Sequence, residues 1–209
     1  MSKSKTASRP AAKDKPAIKP ATIRAFAALD LDGTGQRRMV RLSDRLRMSS
    51  GAPSANWVPA GKLHVTLKFA AELPASVVAA LSKSLAPLAE GKPAPPACAL
   101  RLDAFPSLAK ASVVVATLLD EKGGLAKLAG KVDKLFAKYG VAPDTREYKP
   151  HVTLARVKLE YDARRWMRPE YAEVAGDVRA GALTLYQSTL GPEGSTYEVL
   201  ARVAFAIEP

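Results

Sequence analysis

The chain has 209 residues, of which 47% are apolar and 25% charged, a composition typical of a soluble globular protein rather than a disordered or fibrous one. Its formal charge of +12 at pH 7 favours a polyanionic partner such as nucleic acid, and no stretch approaches the ~20 apolar residues needed to span a bilayer. The single cysteine, Cys98, cannot form an internal disulfide. We therefore expect a cytoplasmic protein that does not associate with a membrane.

The first 20 residues differ in composition from the rest of the chain. They hold six Lys or Arg residues and one Asp, a net charge of +5, and almost nothing to bury. Such a segment is predicted to be a disordered basic tail. Residues 21–209 carry the remaining +7 and are predicted to form one two-lobed domain. This charge fits an RNA partner, or it only keeps the protein in solution.

Strands and helices alternate along residues 21–209, and the order strand, helix, strand occurs twice. The apolar spacing and the turn residues set the boundaries. In chain order the predicted elements are a strand over Ile23–Leu31, a turn at 32–35, a helix over Gln36–Met48, a strand over Leu63–Phe69, a helix over Ala75–Leu88, strands over Cys98–Phe105 and Ser112–Leu119, a helix from Leu125 that ends at Gly140, a strand over His151–Val157, a short helix over Ala163–Val174, and a hairpin of Ala182–Leu190 and Tyr197–Ile207.

One tetrapeptide is repeated in the two halves. The chain has two histidines, and both open the word HVTL, at His64 and at His151. The chance that VTL follows a given histidine is roughly 4 in 10,000 for this composition, so coincidence is a poor explanation. A single histidine on a strand is more often a structural residue than a catalyst, but the duplication favours a functional element.

Both words fall on predicted strands, where residues i and i+2 share a face. His64 and Thr66 therefore point to one side, as do His151 and Thr153. If the halves pack about a pseudo-twofold axis, two imidazoles and two hydroxyls meet in one cleft. Histidine transfers protons near neutral pH, and threonine hydroxyls can bind phosphate oxygens. Zinc would need three or four ligands, so we expect no metal and no cofactor.

The paired words and their flanking residues resemble the 2H phosphoesterase superfamily, and in particular the bacterial RNA 2′,3′-cyclic phosphodiesterases also described as 2′-5′ RNA ligases. The segments that carry the resemblance are RAFAALDL (Arg24–Leu31), KLHVTLKF (Lys62–Phe69), YKPHVTLARV (Tyr148–Val157) and LTLYQSTLGPEGSTYEVLARVAF (Leu183–Phe205).

The resemblance implies an α+β fold with two lobes, in which antiparallel sheets line a central cleft and helices lie outside. It implies that His64 donates a proton to the 3′ oxygen, that His151 accepts one from water, and that Thr66 and Thr153 hold the phosphate. The substrates would be RNA ends or nucleotide 2′,3′-cyclic phosphates, and the product a 2′-phosphate. We also expect the protein to be a monomer.

Two further residues are candidate substrate-binding groups. Arg156 matches an arginine that the family often carries, and its guanidinium would neutralise phosphate or stack on a base. Phe26 would line the nucleotide end of the cleft, although a phenylalanine at such a position is more often part of the core. Ser188 and Tyr197 match the C-terminal hairpin of the family without a role that we can assign.

Three other functions are compatible with the sequence. The protein could hydrolyse a small cyclic phosphate such as an ADP-ribose derivative, or 2′-5′-linked oligonucleotides. It could be a non-catalytic module that binds RNA ends, although binding alone would not need a matched proton donor and acceptor. RNA ligation is plausible only as the reverse of hydrolysis, and no motif for a nucleotidylated lysine is present.

Overall fold

The computed structural model describes residues 21–49, 54–166, 177–192 and 194–206, and of residues 97–100 and 177 it describes only the backbone. The basic tail predicted over residues 1–20 lies outside the described residues. The same holds for positions 167–174 of the short helix and for Ile207 of the hairpin.

Nine strands and three helices make up the described part of the chain. The strands are β1 (Thr22–Leu31), β2 (Ala55–Trp57), β3 (His64–Pro74), β4 (Ala97–Phe105), β5 (Ala111–Leu119), β6 (His151–Tyr161), β7 (Asp177–Val178), β8 (Ala180–Gly191) and β9 (Gly194–Ala204), and the helices are α1 (Gly33–Met48), α2 (Val78–Leu85) and α3 (Gly124–Lys138). Short 3₁₀ turns cover Ala60–Lys62, Ala75–Val77, Ala86–Leu88 and Ala163–Trp166.

The named strands pair in antiparallel fashion in the order β7-β4-β5-β6-β3-β1-β8-β9, and β2 pairs with β6. The two halves of this sheet meet where β3 pairs with β6, through Val65 and Val152. These valines occupy the same place in the two HVTL words. Antiparallel pairing of equivalent residues creates a local twofold axis between them, so the predicted pseudo-twofold arrangement of an α+β fold is confirmed.

Several element boundaries differ from the prediction for local reasons. Helix α1 begins at Gly33 rather than Gln36, because the Asp32 side chain accepts a hydrogen bond from the Gly35 N–H at 2.6 Å and caps the helix. The predicted turn at 32–35 is thus the first turn of the helix. The helix predicted over Ala75–Leu88 is a 3₁₀ turn, α2 and a second 3₁₀ turn that contains Pro87.

The third helix follows its prediction closely. It ends at Lys138, and Gly140 has φ of 86°, the left-handed conformation expected just after a helix. Its apolar face is buried, as the spacing indicates, through Leu125, Leu128, Val132 and Phe136. Strands β2 and β7 were not predicted, because two or three residues are too short to show an alternation.

Candidate active site

Matching β-bulges occur at the last residue of each HVTL word and decide which later side chains face the cleft. Lys68 pairs with Ala27 and Thr66 with Ala28, so Leu67 is an extra residue in β3. In β6, Ala155 pairs with Val114 and Thr153 with Val115, so Leu154 is the extra residue.

Each bulge places two consecutive residues on the buried side of its strand. Leu67 and Lys68 are 3% and 2% exposed, and Leu154 and Ala155 are both 0% exposed. The fifth residue after each histidine therefore returns to the cleft face. That residue is Phe69 in β3 and Arg156 in β6, and both line the same cavity.

The two imidazoles are held in the same way. His64 Nδ1 lies 2.7 Å from the Lys62 carbonyl oxygen, and His151 Nδ1 lies 2.7 Å from the Lys149 carbonyl oxygen. Because a carbonyl oxygen can only accept a hydrogen bond, Nδ1 carries the proton in each ring. In the neutral ring Nε2 then holds the lone pair, so Nε2 is the atom of each histidine that can exchange protons with a ligand.

The histidines differ in their surroundings. The His64 ring lies against three aromatic rings, with centroid distances of 4.9 Å to Phe26, 5.7 Å to Tyr197 and 6.4 Å to Tyr186. Burial lowers the pKa of His64, and nearby positive charge on His151 acts in the same direction, while the Lys62 carbonyl and the Asp30 carboxylate oppose the shift.

Asp30 belongs to a hydrogen-bonded group behind His64. It pairs with His64 across β1 and β3 and accepts hydrogen bonds from Thr184 Oγ1 and Tyr186 OH, both at 2.7 Å. Arg202 Nε adds a contact of 3.1 Å to the same carboxylate. This carboxylate is therefore fixed beside the imidazole that Phe26 covers.

A cavity of about 160 Å³ lies over this face of the sheet. Its lining includes His64, Thr66, Thr153 and Arg156, so the structure brings together four of the predicted site residues. Phe26 also belongs to the lining, although the residue is only 4% exposed and its ring packs against those of His64, Tyr186 and Tyr197.

His151 is half-buried and lies beside this cavity rather than in its lining. It is two residues before Thr153 on the same face of β6, and its ring makes an edge contact with Phe105 at 5.5 Å. Because His64 and His151 each precede one of the paired valines, Val65 and Val152, both histidines lie at the junction of the two halves.

The cavity is basic. Arg24, Lys62 and Arg156 line it, and no Asp or Glu among the described residues belongs to the lining. Lys62 Nζ donates to the Ser195 carbonyl oxygen at 3.0 Å and lies 5.6 Å from the centre of the Tyr197 ring. Such a lining suits an anionic ligand.

Sequence reasoning did not identify Arg24, Lys62 or Phe69 as site residues. One signal was available, because a lysine stands two residues before each histidine and the repeated word is therefore K-x-H-V-T-L. Phe69 carries no such signal, since an odd spacing from His64 predicts the opposite face of a regular strand. Within the described ranges, no group of three or more His, Cys, Asp or Glu residues could hold a metal ion.

Comparison with known proteins agrees with this geometry. A family model for the 2′-5′ RNA ligase superfamily matches residues 36–191. The chain belongs to this superfamily of 2H phosphoesterases. It is 30% identical over 173 residues to the RNA 2′,3′-cyclic phosphodiesterase of Aeropyrum pernix, a match that covers 81% of this chain and 96% of that protein.

Solved structures show the same 2H phosphoesterase fold. TT0787 of Thermus thermophilus superposes with a TM-score of 0.68 at 22% identity, over 88% of this chain and 98% of that chain. LigT of E. coli in its apo form gives a TM-score of 0.61 at 25% identity, over 89% of this chain and 99% of that chain. No described helix is both long and apolar enough to cross a membrane.

Proposed function

We propose that this 2H phosphoesterase hydrolyses 2′,3′-cyclic phosphate ends of RNA to 2′-phosphomonoesters without a metal ion. The observation that carries the proposal is the matched pair of histidines, each with Nδ1 bonded to a carbonyl and Nε2 available for proton transfer. The basic cavity beside them and the name of the Aeropyrum pernix relative support a phosphate substrate on RNA.

In the proposed reaction, His151 Nε2 removes a proton from a water molecule as its oxygen attacks the phosphorus. The bond between phosphorus and O3′ breaks, and His64 Nε2 gives its proton to O3′. The product keeps the phosphate on O2′, and the two histidines have exchanged protonation states. A later proton exchange with solvent restores them.

The hydroxyls of Thr66 and Thr153 are proposed to donate to the non-bridging phosphate oxygens, where charge increases in the transition state. Both threonines line the cavity on the faces that carry the histidines. Arg156 would add a positive charge from the second half. Phe26, covered by its neighbours, would act mainly by fixing the His64 ring at 4.9 Å.

The donor role of His64 requires the ring to be protonated when substrate is bound. Burial lowers the pKa of this ring in the free protein, which by itself favours the neutral form. The negative charge of a bound phosphate acts in the opposite direction and stabilises the imidazolium. Asp30, held beside His64, adds to that effect.

The test is hydrolysis of an RNA oligomer that ends in a 2′,3′-cyclic phosphate, in excess EDTA, by wild type, His64→Ala and His151→Ala. We expect a 2′-phosphate product and a loss of about 10²-fold or more in each variant. The rate should be bell-shaped in pH, and a flat profile between about pH 5 and 8 would contradict the two-histidine mechanism.

Other outcomes separate the competing functions. Binding of the oligomer without turnover by wild type would favour the non-catalytic module. Turnover of an ADP-ribose cyclic phosphate or a 2′-5′-linked oligonucleotide, with the RNA end left intact, would assign the same chemistry to a different substrate.

A further inference from the structure

The cavity holds more positive charge than one cyclic phosphate needs. A cyclic phosphodiester carries a single negative charge, whereas Arg24, Lys62 and Arg156 all line the cavity. Three cations in so small a space repel one another, and the described part of the lining supplies no carboxylate to offset them. This excess predicts a ligand with more than one anionic group.

The position of the excess charge points to one side of the site. Most of the lining comes from β1, β3, β8, β9 and the turn before β3, which form the half that carries His64. The exceptions are Val58, which follows β2, and Thr153 and Arg156 of β6. If His64 protonates O3′, that oxygen lies on the His64 side of the phosphorus, together with the ribose that carries it and the RNA strand attached to that ribose. The RNA strand would therefore extend over the half that holds Arg24 and Lys62.

Lys62 is the better placed of these two cations to bind a second phosphate. Its ammonium lies 5.6 Å from the Tyr197 ring centre, and the same ring meets His64 edge-on at 5.7 Å, so the cation and the imidazole both contact this ring. Its bond to the Ser195 carbonyl uses one of three donors and leaves the charge unneutralised. Arg24 lies over the Phe69 ring at 5.0 Å, and among the described residues the rings in contact with His64 are those of Phe26, Tyr186 and Tyr197 rather than Phe69.

We propose that Lys62 is the principal cation of a second phosphate subsite, which binds the phosphate on the 5′ side of the terminal nucleotide. The inference rests on the proposed function for the orientation of the substrate. It makes the protein prefer the end of an RNA strand, or a 5′-phosphorylated nucleotide, over a nucleoside cyclic phosphate that lacks a 5′ phosphate.

The test compares adenosine 2′,3′-cyclic phosphate with the same compound carrying a 5′-phosphate. Wild type should prefer the 5′-phosphorylated substrate by about 10-fold in kcat/KM, the effect of one charge-assisted hydrogen bond. Lys62→Gln should lose this preference and Lys62→Arg should keep it. Lys131→Gln, which removes the same charge from the exposed side of α3, should also keep it. Equal losses on both substrates in Lys62→Gln would overturn the subsite.

A binding measurement separates failure of the subsite from failure of the proposed reaction. Calorimetric titration with adenosine 2′-phosphate and adenosine 2′,5′-bisphosphate requires no turnover. About 10-fold tighter binding of the bisphosphate by wild type, lost in Lys62→Gln, would support the subsite even if neither cyclic phosphate were hydrolysed. Equal affinity of wild type for the two compounds would overturn it.

Discussion

A buried lysine behind the cleft offers a quantitative test of the packing. Lys68 follows the extra residue of the β3 bulge, and its side chain is 1% exposed. Its ammonium lies 2.6 Å from Asp133 Oδ1, 3.0 Å from Asp144 Oδ1 and 2.8 Å from the Ala142 carbonyl oxygen. These contacts attach β3 to α3 and to the segment that leads into β6.

Replacing Lys68 by Met keeps most of the buried stem and removes the ammonium with its contacts. Removing one partner of a buried ion pair costs about 3–5 kcal/mol, because the other charge is left without compensation. Here Asp133 is 21% and Asp144 61% exposed, so water solvates both carboxylates in part. We therefore expect a loss near the lower limit, about 3 kcal/mol, which corresponds to a fall of ~6–12 °C in Tm.

Urea and thermal unfolding measure this loss. Arg164→Met, at the exposed ion pair with Asp162, is the control and should leave the midpoint unchanged within error. Adding Asp133→Asn to Lys68→Met should recover part of the stability, since the uncompensated carboxylate is then neutral. A Lys68→Met protein as stable as wild type would refute the reasoning, and so would a double variant less stable than the single one.

Three further predictions concern the site. Burial lowers the pKa of His64 in the free protein, so kcat/KM should begin to fall on the alkaline side below pH 6.5. Bound phosphate opposes this shift, so kcat should fall only at a higher pH. Steady-state pH profiles in which kcat and kcat/KM fall at the same pH would contradict this prediction. Thr66→Val and Thr153→Val should each lower kcat/KM by about 10- to 100-fold without unfolding the protein, as measured on the cyclic-phosphate oligomer. Phe26→Ala should lower the free energy of unfolding, measured in urea, by about 3–5 kcal/mol. It should also reduce kcat/KM, since the His64 ring loses its contact with the Phe26 ring.

Much of the fold and the centre of the site could be predicted from local patterns. The apolar spacing of α3 identified its buried face, and alternation within each HVTL word placed the histidine and threonine on one side. These features depend on residues that are neighbours in the chain. Repetition of the word then indicated how the two halves would meet, as the pairing of Val65 with Val152 bears out.

What could not be predicted depends on contacts between distant segments. Tyr197 reaches His64 from a hairpin that follows it by more than a hundred residues, and Lys62 is held by Ser195 of the same hairpin. Neither contact leaves a local pattern in the sequence. The bulges could not be predicted from the sequence either. A residue is extra only in relation to the strand that pairs with its own, so the sequence of the bulged strand alone does not show it.

The bulge in β6 yields opposite expectations for two adjacent residues. In a regular strand Ala155, four residues after His151, would face the cleft and Arg156 would face the core. With Leu154 as the extra residue, Ala155 is 0% exposed and Arg156 lines the cavity. Ala155→Glu should therefore lower the free energy of unfolding by at least about 3 kcal/mol, since it buries a charge without a partner.

Arg156→Glu should instead leave the free energy of unfolding within about 0.5 kcal/mol of wild type, as an exposed substitution does. It should lower kcat/KM by about 100-fold or more, because a negative charge then faces the anionic substrate. Urea unfolding and turnover of the cyclic-phosphate oligomer, measured on both variants, separate the two arrangements. A stable, inactive Ala155→Glu protein together with an unfolded Arg156→Glu protein would mean that β6 continues without a bulge and that Arg156 does not reach the substrate.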